Sequence, residues 1–155
     1  IVVKGIDSKR DKQIFEIPDT REGWVESVRI LLDGYLRGAK VPKFDYSKIR
    51  PLGAPIRGFG GTSSGPDPLM ELHQNLINLY DERIDEEITS VDIVDTENLI
   101  GRCVVAGNVR RSAALALGDY DDQSYLTMKN DKEKSVINMS RKLQLSKKKY
   151  FWKNT

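Results

Sequence analysis

The feature that most constrains this chain is a glycine- and proline-rich stretch at residues 50–68, RPLGAPIRGFGGTSSGPDP. Proline removes a backbone hydrogen-bond donor and glycine costs backbone entropy, so this stretch is neither an ordinary helix nor a central strand. A short turn needs only one or two such residues. The sequence therefore predicts a long loop with an unusual backbone path.

The second half of this loop is suited to bind an anion, and phosphate is the natural ligand. Glycines let main-chain N–H groups approach a ligand closely, hydroxyls add donors, and an arginine adds a cation. Pro66 and Asp67 suit the start of a helix, where unpaired amides attract anions. Composition alone leaves a plain connecting loop equally open. The candidate binding residues are Arg57, Gly58, Gly60, Gly61, Thr62 and Ser63, with Ser64 and Gly65 beside them.

The common phosphate-loop patterns do not account for this stretch. The Walker pattern needs a Gly-Lys pair, but no lysine lies between Lys48 and Lys129. The dinucleotide pattern G-x-G-x-x-G begins at Gly58 and Gly60 but meets Ser63 where its third glycine belongs. Any anion site here must therefore be of another kind.

Composition favours a globular protein, and the single cysteine favours a reducing compartment or a partial chain. The 155 residues suffice for one core, and 39% hydrophobic with 31% charged residues is typical of soluble chains. No run approaches the roughly 20 apolar residues of a membrane span, so we expect no membrane partner and a cytoplasmic location. The single Cys103 excludes an internal disulfide, and the single His73 excludes a histidine-rich metal site. His73 follows Leu69 at helical spacing, which favours a packed or surface side chain over a catalytic one.

Apolar periodicity predicts helices separated by short extended pieces. Asp19 or Thr20 would cap a first helix that ends at Gly38. A strand is predicted at residues 44–49, a second helix at 67–83 and a third from Thr89 or Ser90. The predicted inward side chains of the first two helices are Trp24, Val28, Leu31, Leu32, Tyr35, Leu36, Leu69, Leu72, Leu76, Leu79 and Tyr80.

A second polar loop, AGNVRRS at residues 106–112, follows the third helix. Its two adjacent arginines are suited to grip a nucleotide, although two surface arginines in salt bridges remain an alternative. The small apolar run at residues 113–118 predicts a strand buried on both faces of an α/β sheet. Asp121 would then cap a short helix through Met128.

The chain's last part is basic. From residue 132 onward a single acidic side chain, Glu133, faces eight basic ones: Lys132, Lys134, Arg141, Lys142, Lys147, Lys148, Lys149 and Lys153. Such a tail either contacts nucleic acid or stays solvated. The solvated state is the favoured interpretation, so no nucleic-acid partner is expected.

Three blocks of the sequence resemble a known enzyme family. IPDTREGWV (17–25), RPLGAPIRGFGGTSSGPDPL (50–69) and NLIGRCVVAGNVRRSAALALGDYDDQ (98–123) are similar to the adenosylcobalamin-dependent ribonucleoside-triphosphate reductases, the class II ribonucleotide reductases. The order and spacing of the blocks agree as well. The likeness covers about residues 14–134, and the sequence departs from the family pattern after Lys134.

The resemblance implies an α/β fold, a partial slice of the ten-stranded α/β barrel of these reductases in which helices flank a few strands. Residues 1–17 would be the end of the inserted domain at the effector site. Residues 18–134 would be the part of the barrel with both specificity loops. Residues 135–155 would be a divergent basic tail, either disordered or frameshifted.

The resemblance also implies roles for both loops. The loop at 53–64 corresponds to the first specificity loop, which lies against an allosteric deoxynucleoside triphosphate, and Arg57 is the best candidate for a contact to its phosphates. The second loop lies between effector and substrate. Its residues are Gly107, Asn108, Val109, Arg110, Arg111 and Ser112.

The parent enzymes of this family convert ribonucleotides to 2'-deoxyribonucleotides by thiyl-radical chemistry, with adenosylcobalamin as cofactor and a thioredoxin-type reductant. The family supplies the radical cysteine, the redox cysteines and the cobalamin-binding segments outside this region. We therefore assign no catalytic residue and no metal ligand here, and Cys103 is interpreted as a small buried thiol. The alternatives are a non-catalytic nucleotide-binding or regulatory module, a nucleic-acid-binding protein that uses the basic tail, or an inactive truncated gene product.

Overall fold

A computed structural model of the chain describes residues 1–6, 13–56, 60–106 and 111–128. Within these ranges it contains a small parallel sheet and helices that pack on one core. The elements are β1 (Ile14–Glu16), α1 (Arg21–Arg37), β2 (Lys43–Asp45), α2 (Asp67–Asp81), α3 (Ser90–Val105) and α4 (Gln123–Thr127).

The first three elements form a β–α–β unit. β1 and β2 pair in parallel, with Phe15 opposite Phe44, and α1 connects them. The two phenylalanine rings meet edge to face at 6.3 Å between centroids. The predicted mixed α/β class is confirmed at this level. The predicted strand at 44–49 is shorter than expected, because the amide of Ile49 turns back to donate to the carbonyl of Tyr46 at 3.0 Å.

Local signals set the ends of α1. The Thr20 hydroxyl accepts the amide of Gly23 at 3.0 Å, which satisfies one of the unpaired donors at the helix start. Gly38 ends the helix in the left-handed conformation, with φ at 70°. Both predicted boundaries are confirmed, with Thr20 rather than Asp19 as the cap.

The starts of α2 and α3 also follow the prediction. Pro66 precedes α2, whose first residue is Asp67. Thr89 and Asp92 form a reciprocal capping box at the start of α3, in which Asp92 Oδ2 accepts the Thr89 amide at 2.9 Å. α2 ends at Asp81, two residues before the predicted position.

The core lies where α1, α2 and α3 meet the small sheet. Tyr35 of α1 stacks on Tyr80 of α2 at 5.4 Å between ring centroids, and its hydroxyl donates to Asp81 Oδ1 at 2.5 Å. Burying these apolar side chains supplies the main stabilising term of the fold. The buried hydrophobic residues are Val3, Ile17, Leu31, Tyr35, Ile49, Leu69, Leu72, Leu76, Leu79, Tyr80 and Leu99.

His73 is part of this core and is only 2% exposed. Its Nε2 lies 3.0 Å from the hydroxyl of Ser27 on α1, and its Nδ1 lies 2.6 Å from the hydroxyl of Tyr46 after β2. Burial lowers the pKa of His73 to about 4, so the ring is neutral at pH 7. This neutral imidazole joins α1, α2 and the segment that follows β2, so of the two predicted alternatives, packed or surface, the structure shows the packed one.

Two predictions near the end of the described chain are wrong. Residues 113–118 do not form a buried strand, since Leu115 is 84% and Leu117 86% exposed and no ladder is formed. The physical reason is that no strand among residues 1–6, 13–56, 60–106 and 111–128 lies alongside to pair with them. The short helix α4 is capped by Asp122, not Asp121, because the Asp122 side chain accepts the amide of Tyr125 at 3.0 Å.

Candidate functional site

The glycine- and proline-rich stretch folds back on itself as a hairpin. The Ile56 amide donates to the carbonyl of Gly61 at 3.0 Å, and the Ser63 amide donates to Ala54 at 2.8 Å. Gly60 and Gly61 supply consecutive positive φ angles of 70° and 86°, which allow the chain to reverse. The amide of Ser63 is therefore engaged inside the hairpin.

The base of the hairpin is fixed by short-range contacts. The Ser63 hydroxyl donates to the carbonyl of Arg50 at 3.4 Å and accepts the amide of Gly65 at 3.0 Å. Gly65 has φ at 73°, and a Cβ at this position would lie 3.1 Å from the amide nitrogen of Leu52. A larger residue at position 65 would therefore push the two arms of the hairpin apart.

An open cavity of about 270 Å³ lies between this hairpin and two helix ends. The start of α1 forms one wall, the hairpin the second, and the last turn of α3 the third. Its lining residues are Asp19, Thr20, Arg21, Trp24 and Val25, then Arg50, Ile56, Thr62, Ser63 and Ser64, then Cys103 and Val104.

The cavity wall carries two arginines, and one of them, Arg50, is held in place by its partners. Arg50 forms an ion pair with Asp19, and its Nη1 also lies 3.4 Å from the carbonyl of Pro55. Arg21 is 73% exposed and pairs with the neighbouring Glu22 at 2.7 Å. Since Arg50 is fixed by its partners, it loses little side-chain entropy when an anion approaches.

Cys103 lies on the α3 wall and is partly buried. Burial, with a smaller contribution from the charge of Glu71, raises the pKa of its thiol to about 11. The thiol is therefore neutral at physiological pH and lacks the depressed pKa of a reactive cysteine. This agrees with its interpretation as a small buried thiol.

The second loop leaves α3 next to this cavity. Residues Gly107, Asn108, Val109 and Arg110 lie outside the described residues. Arg111 and Ser112 are exposed where the described chain resumes. Ser112 lies close to Gly101, about one turn before the end of α3. A Cβ added at Gly101 would be 3.3 Å from the Ser112 hydroxyl oxygen.

The predicted effector residues fall into three groups. Arg57 and Gly58 lie outside the described residues. Thr62 and Ser63 line the cavity, whereas Gly60 and Gly61 shape the turn of the hairpin and are exposed. Sequence reasoning missed Asp19, Trp24 and Arg50 as cavity residues, although all three lie within the blocks that resemble the reductases.

The cavity is built entirely from those blocks. Each lining residue falls within 17–25, 50–69 or 98–123, so three segments far apart in the sequence meet at one place. A cavity with fixed cations, hydroxyls and an indole ring is suited to a phosphorylated, partly aromatic ligand. None of the described helices is both long and apolar enough to cross a membrane.

Comparison with known proteins identifies the family. Residues 3–80 match the family model described as "B12-dependent ribonucleotide reductase, insertion domain". The chain is 53% identical over 117 residues to "Probable adenosylcobalamin-dependent ribonucleoside-triphosphate reductase" of Dictyostelium discoideum, covering 76% of this chain and 15% of that protein.

Bacterial relatives agree with this match. Adenosylcobalamin-dependent ribonucleoside-triphosphate reductase of Lactobacillus helveticus is 50% identical over 125 residues, covering 77% of this chain and 17% of that protein. The protein of the same name from Lactobacillus gasseri is 48% identical over 131 residues, covering 81% of this chain and 18% of that protein. No solved structure matches the chain significantly. The chain spans less than a fifth of the length of these relatives, and it belongs to the B12-dependent ribonucleotide reductase family.

Proposed function

We propose that this chain is the part of a ribonucleoside-triphosphate reductase that binds an allosteric deoxynucleoside triphosphate, and that the 270 Å³ cavity is the binding site. The observation that carries this proposal is the convergence of the three reductase-like blocks on one cavity.

The chemistry of the walls supports a nucleotide. Arg50 and Arg21 offer charged donors for phosphate oxygens, and the hydroxyls of Thr62 and Ser64 add neutral ones. Trp24 also lines the cavity, and an indole ring is suited to stack on a base. Arg57 and Gly58 lie outside the described residues and remain, as predicted from the sequence, proposed phosphate contacts.

The position of the second loop supports communication between effector and substrate. Cys103 and Val104 line the cavity, and the loop begins only a few residues after them, at Gly107. A ligand that favours one arrangement of this turn of α3 would change which conformations of the second loop are populated. Arg110 and Arg111 would then meet the base or phosphates of a substrate ribonucleotide.

The parent enzyme would reduce ribonucleotides by thiyl-radical chemistry in the cytoplasm, with adenosylcobalamin as cofactor and a thioredoxin-type reductant. The described residues do not fit the cobalamin. Both ring nitrogens of the buried His73 are engaged with hydroxyls, so they are not available to a cobalt ion. Within the described part of the chain, no group of three or more His, Cys, Asp and Glu side chains is arranged to hold a metal ion. The cavity lies just below the roughly 300–1,000 Å³ of sites for drug-sized ligands, and a corrin is larger than these. We therefore assign neither cofactor binding nor a radical step to this chain.

The exposed run at residues 113–118 supports the proposal that the chain is part of a larger barrel. Leu115 is 84% and Leu117 86% exposed, as expected for apolar side chains that another part of a larger protein would cover. We propose that these residues pair with a barrel strand of the parent enzyme. The domain boundary at residue 17 and the divergent tail from residue 135 remain predictions from the sequence.

Protection of the single cysteine tests the nucleotide site. Cys103 lines the cavity, so a bound deoxynucleoside triphosphate should slow its alkylation in the full 155-residue chain. Arg50→Gln should weaken this protection about tenfold or more in Kd, because a hydrogen bond to a charged group is worth about 1.5–3 kcal/mol. Thermal melting would verify that the variant is folded.

Lys48→Gln is the matched control. Lys48 is 62% exposed, pairs with Glu16 at 3.7 Å and lies outside the cavity, so its loss should leave protection unchanged. If none of the four deoxynucleoside triphosphates protects Cys103, or if both variants lose protection equally, the cavity is not the effector site.

A non-catalytic nucleotide-binding module is the second candidate. It is favoured by the lining of the cavity, which offers binding groups while its one cysteine, Cys103, has a raised thiol pKa of about 11. Binding of a deoxynucleotide by the chain, without any effect on reduction by a reductase that contains the same segment, would support this alternative.

A further inference from the structure

The helices α2 and α3 each carry one end of a loop. α2 begins at Asp67, directly after the hairpin, and α3 ends at Val105, directly before the second loop. Glu71, one turn into α2, forms an ion pair with Arg102 in the last turn of α3. This pair therefore bridges the two helix ends from which the two loops extend.

Arg102 depends on Glu71 for its position. A second cavity of about 70 Å³ lies beside it, and Glu71, Arg102 and Cys103 are among its lining residues. Arg102 Nη1 is buried and finds no hydrogen-bond partner within the described part of the chain. The position of the guanidinium thus depends on Glu71, because no other described group anchors it.

Cys103 connects this pair with the larger cavity, because it lines both cavities. A ligand that contacts Cys103 or Val104 therefore touches the same helical turn that carries Arg102. Neither Glu71 nor Arg102 lines the larger cavity. Their effect on a ligand there would be indirect.

We propose that the Glu71–Arg102 ion pair is a positioning pair that makes the start of α2 and the end of α3 move together, so that ligand binding at the hairpin reaches the second loop. This inference rests on the proposed effector site and assigns its regulation to two residues outside the cavity. Without the pair, the α3 end can settle independently of the hairpin, and binding at the hairpin loses its effect on the second loop.

Amide chemical shifts of the full chain test the proposal. A deoxynucleoside triphosphate should shift the amides of Thr62–Ser64 and also those of Arg111 and Ser112. In Glu71→Gln and in Arg102→Gln, the response at Arg111 and Ser112 should fall at least about fivefold, the lower end of typical coupling. The response at the hairpin and its Kd should change less than about twofold.

Two further variants separate positioning from general stability. The exchange Glu71→Arg with Arg102→Glu restores an ion pair between the same helices and should recover the response of the second loop. Glu26→Gln removes an exposed pair of the same kind within α1, where Arg29 lies 2.6 Å from Glu26, and should change neither response.

Each outcome decides the question. A full response at Arg111 and Ser112 in the single variants overturns the proposal, as does equal loss of both responses in variants that remain folded. Failure of the exchange variant to recover the response overturns it as well. If the unaltered chain shows no shift with any deoxynucleotide, the proposed effector site fails first, and this inference falls with it.

Discussion

Acidification from pH 7 to pH 5 should destabilise the protein through the buried His73. The ring is 2% exposed and sits between the hydroxyls of Ser27 and Tyr46, with the ring of Phe44 at 4.6 Å. All three neighbours are neutral, so nothing described around the imidazole compensates for a positive charge. Burial consequently holds its pKa at about 4, below the ordinary value of 6.5.

The sign and size of the effect follow from these two pKa values. As pH falls through 6.5, the unfolded chain binds a proton at His73 while the folded protein does not, so stability decreases. The loss continues until the folded protein also binds the proton near pH 4. Each pH unit in this window is worth about 1.36 kcal/mol, which gives about 2 kcal/mol at pH 5 and about 3 kcal/mol in full. This is a large part of the roughly 5–15 kcal/mol that stabilises a typical domain.

Urea denaturation at pH 7 and pH 5, followed by circular dichroism, measures this loss. His73→Gln keeps a polar side chain at the site but does not titrate, so it should be less stable at pH 7 and lose about 2 kcal/mol less on acidification. Carboxylates titrate in both proteins, and their contribution cancels in the comparison. If both proteins lose the same free energy of unfolding between pH 7 and pH 5, His73 is not buried as a neutral ring and the reasoning is refuted.

Three further predictions concern helix ends and the cavity. Thr89→Ala removes the cap of α3 and should lower the free energy of unfolding by about 1 kcal/mol, whereas Thr89→Ser should preserve most of it. Gly23→Ala should cost about 1–3 kcal/mol in urea denaturation, because the new Cβ would lie 2.6 Å from the Pro18 carbonyl oxygen. Gly5→Ala, where the nearest atom is at 3.4 Å, should stay within about 0.5 kcal/mol. Alkylation of Cys103 should accelerate about tenfold per pH unit between pH 8 and 10, since its thiol has a pKa of about 11; a plateau below pH 9 would contradict this.

The two ends of α1 and the start of α3 could be predicted from the sequence because their causes are local. Thr20 and Thr89 accept amides three residues ahead, and Gly38 adopts a conformation that glycine favours. Each signal and its partner lie within a few residues, so the sequence contains both. The buried faces of α1 and α2 follow from the same short-range periodicity.

The interactions that the sequence did not reveal are non-local. Arg50 pairs with Asp19 across 31 residues, and His73 meets Ser27 across 46. No pattern in the chain connects these partners before the fold brings them together. The prediction of a strand at residues 113–118 was wrong for the same reason, because a strand forms only where another strand pairs with it.

The contrast between local and non-local interactions also applies to the glycine-rich stretch at residues 50–68. Its composition predicted a loop with unusual backbone angles, and Gly60, Gly61 and Gly65 adopt them. The composition did not predict that the amide of Ser63 donates a hydrogen bond within the hairpin. Because this amide is engaged, the proposed donors for a ligand are hydroxyls and arginines. The amides of Ile56 and Ser63 already form hydrogen bonds within the hairpin. To bind an anion, the loop therefore needs donors from other elements. The walls supplied by α1 and α3 are therefore as necessary to the proposed site as the loop.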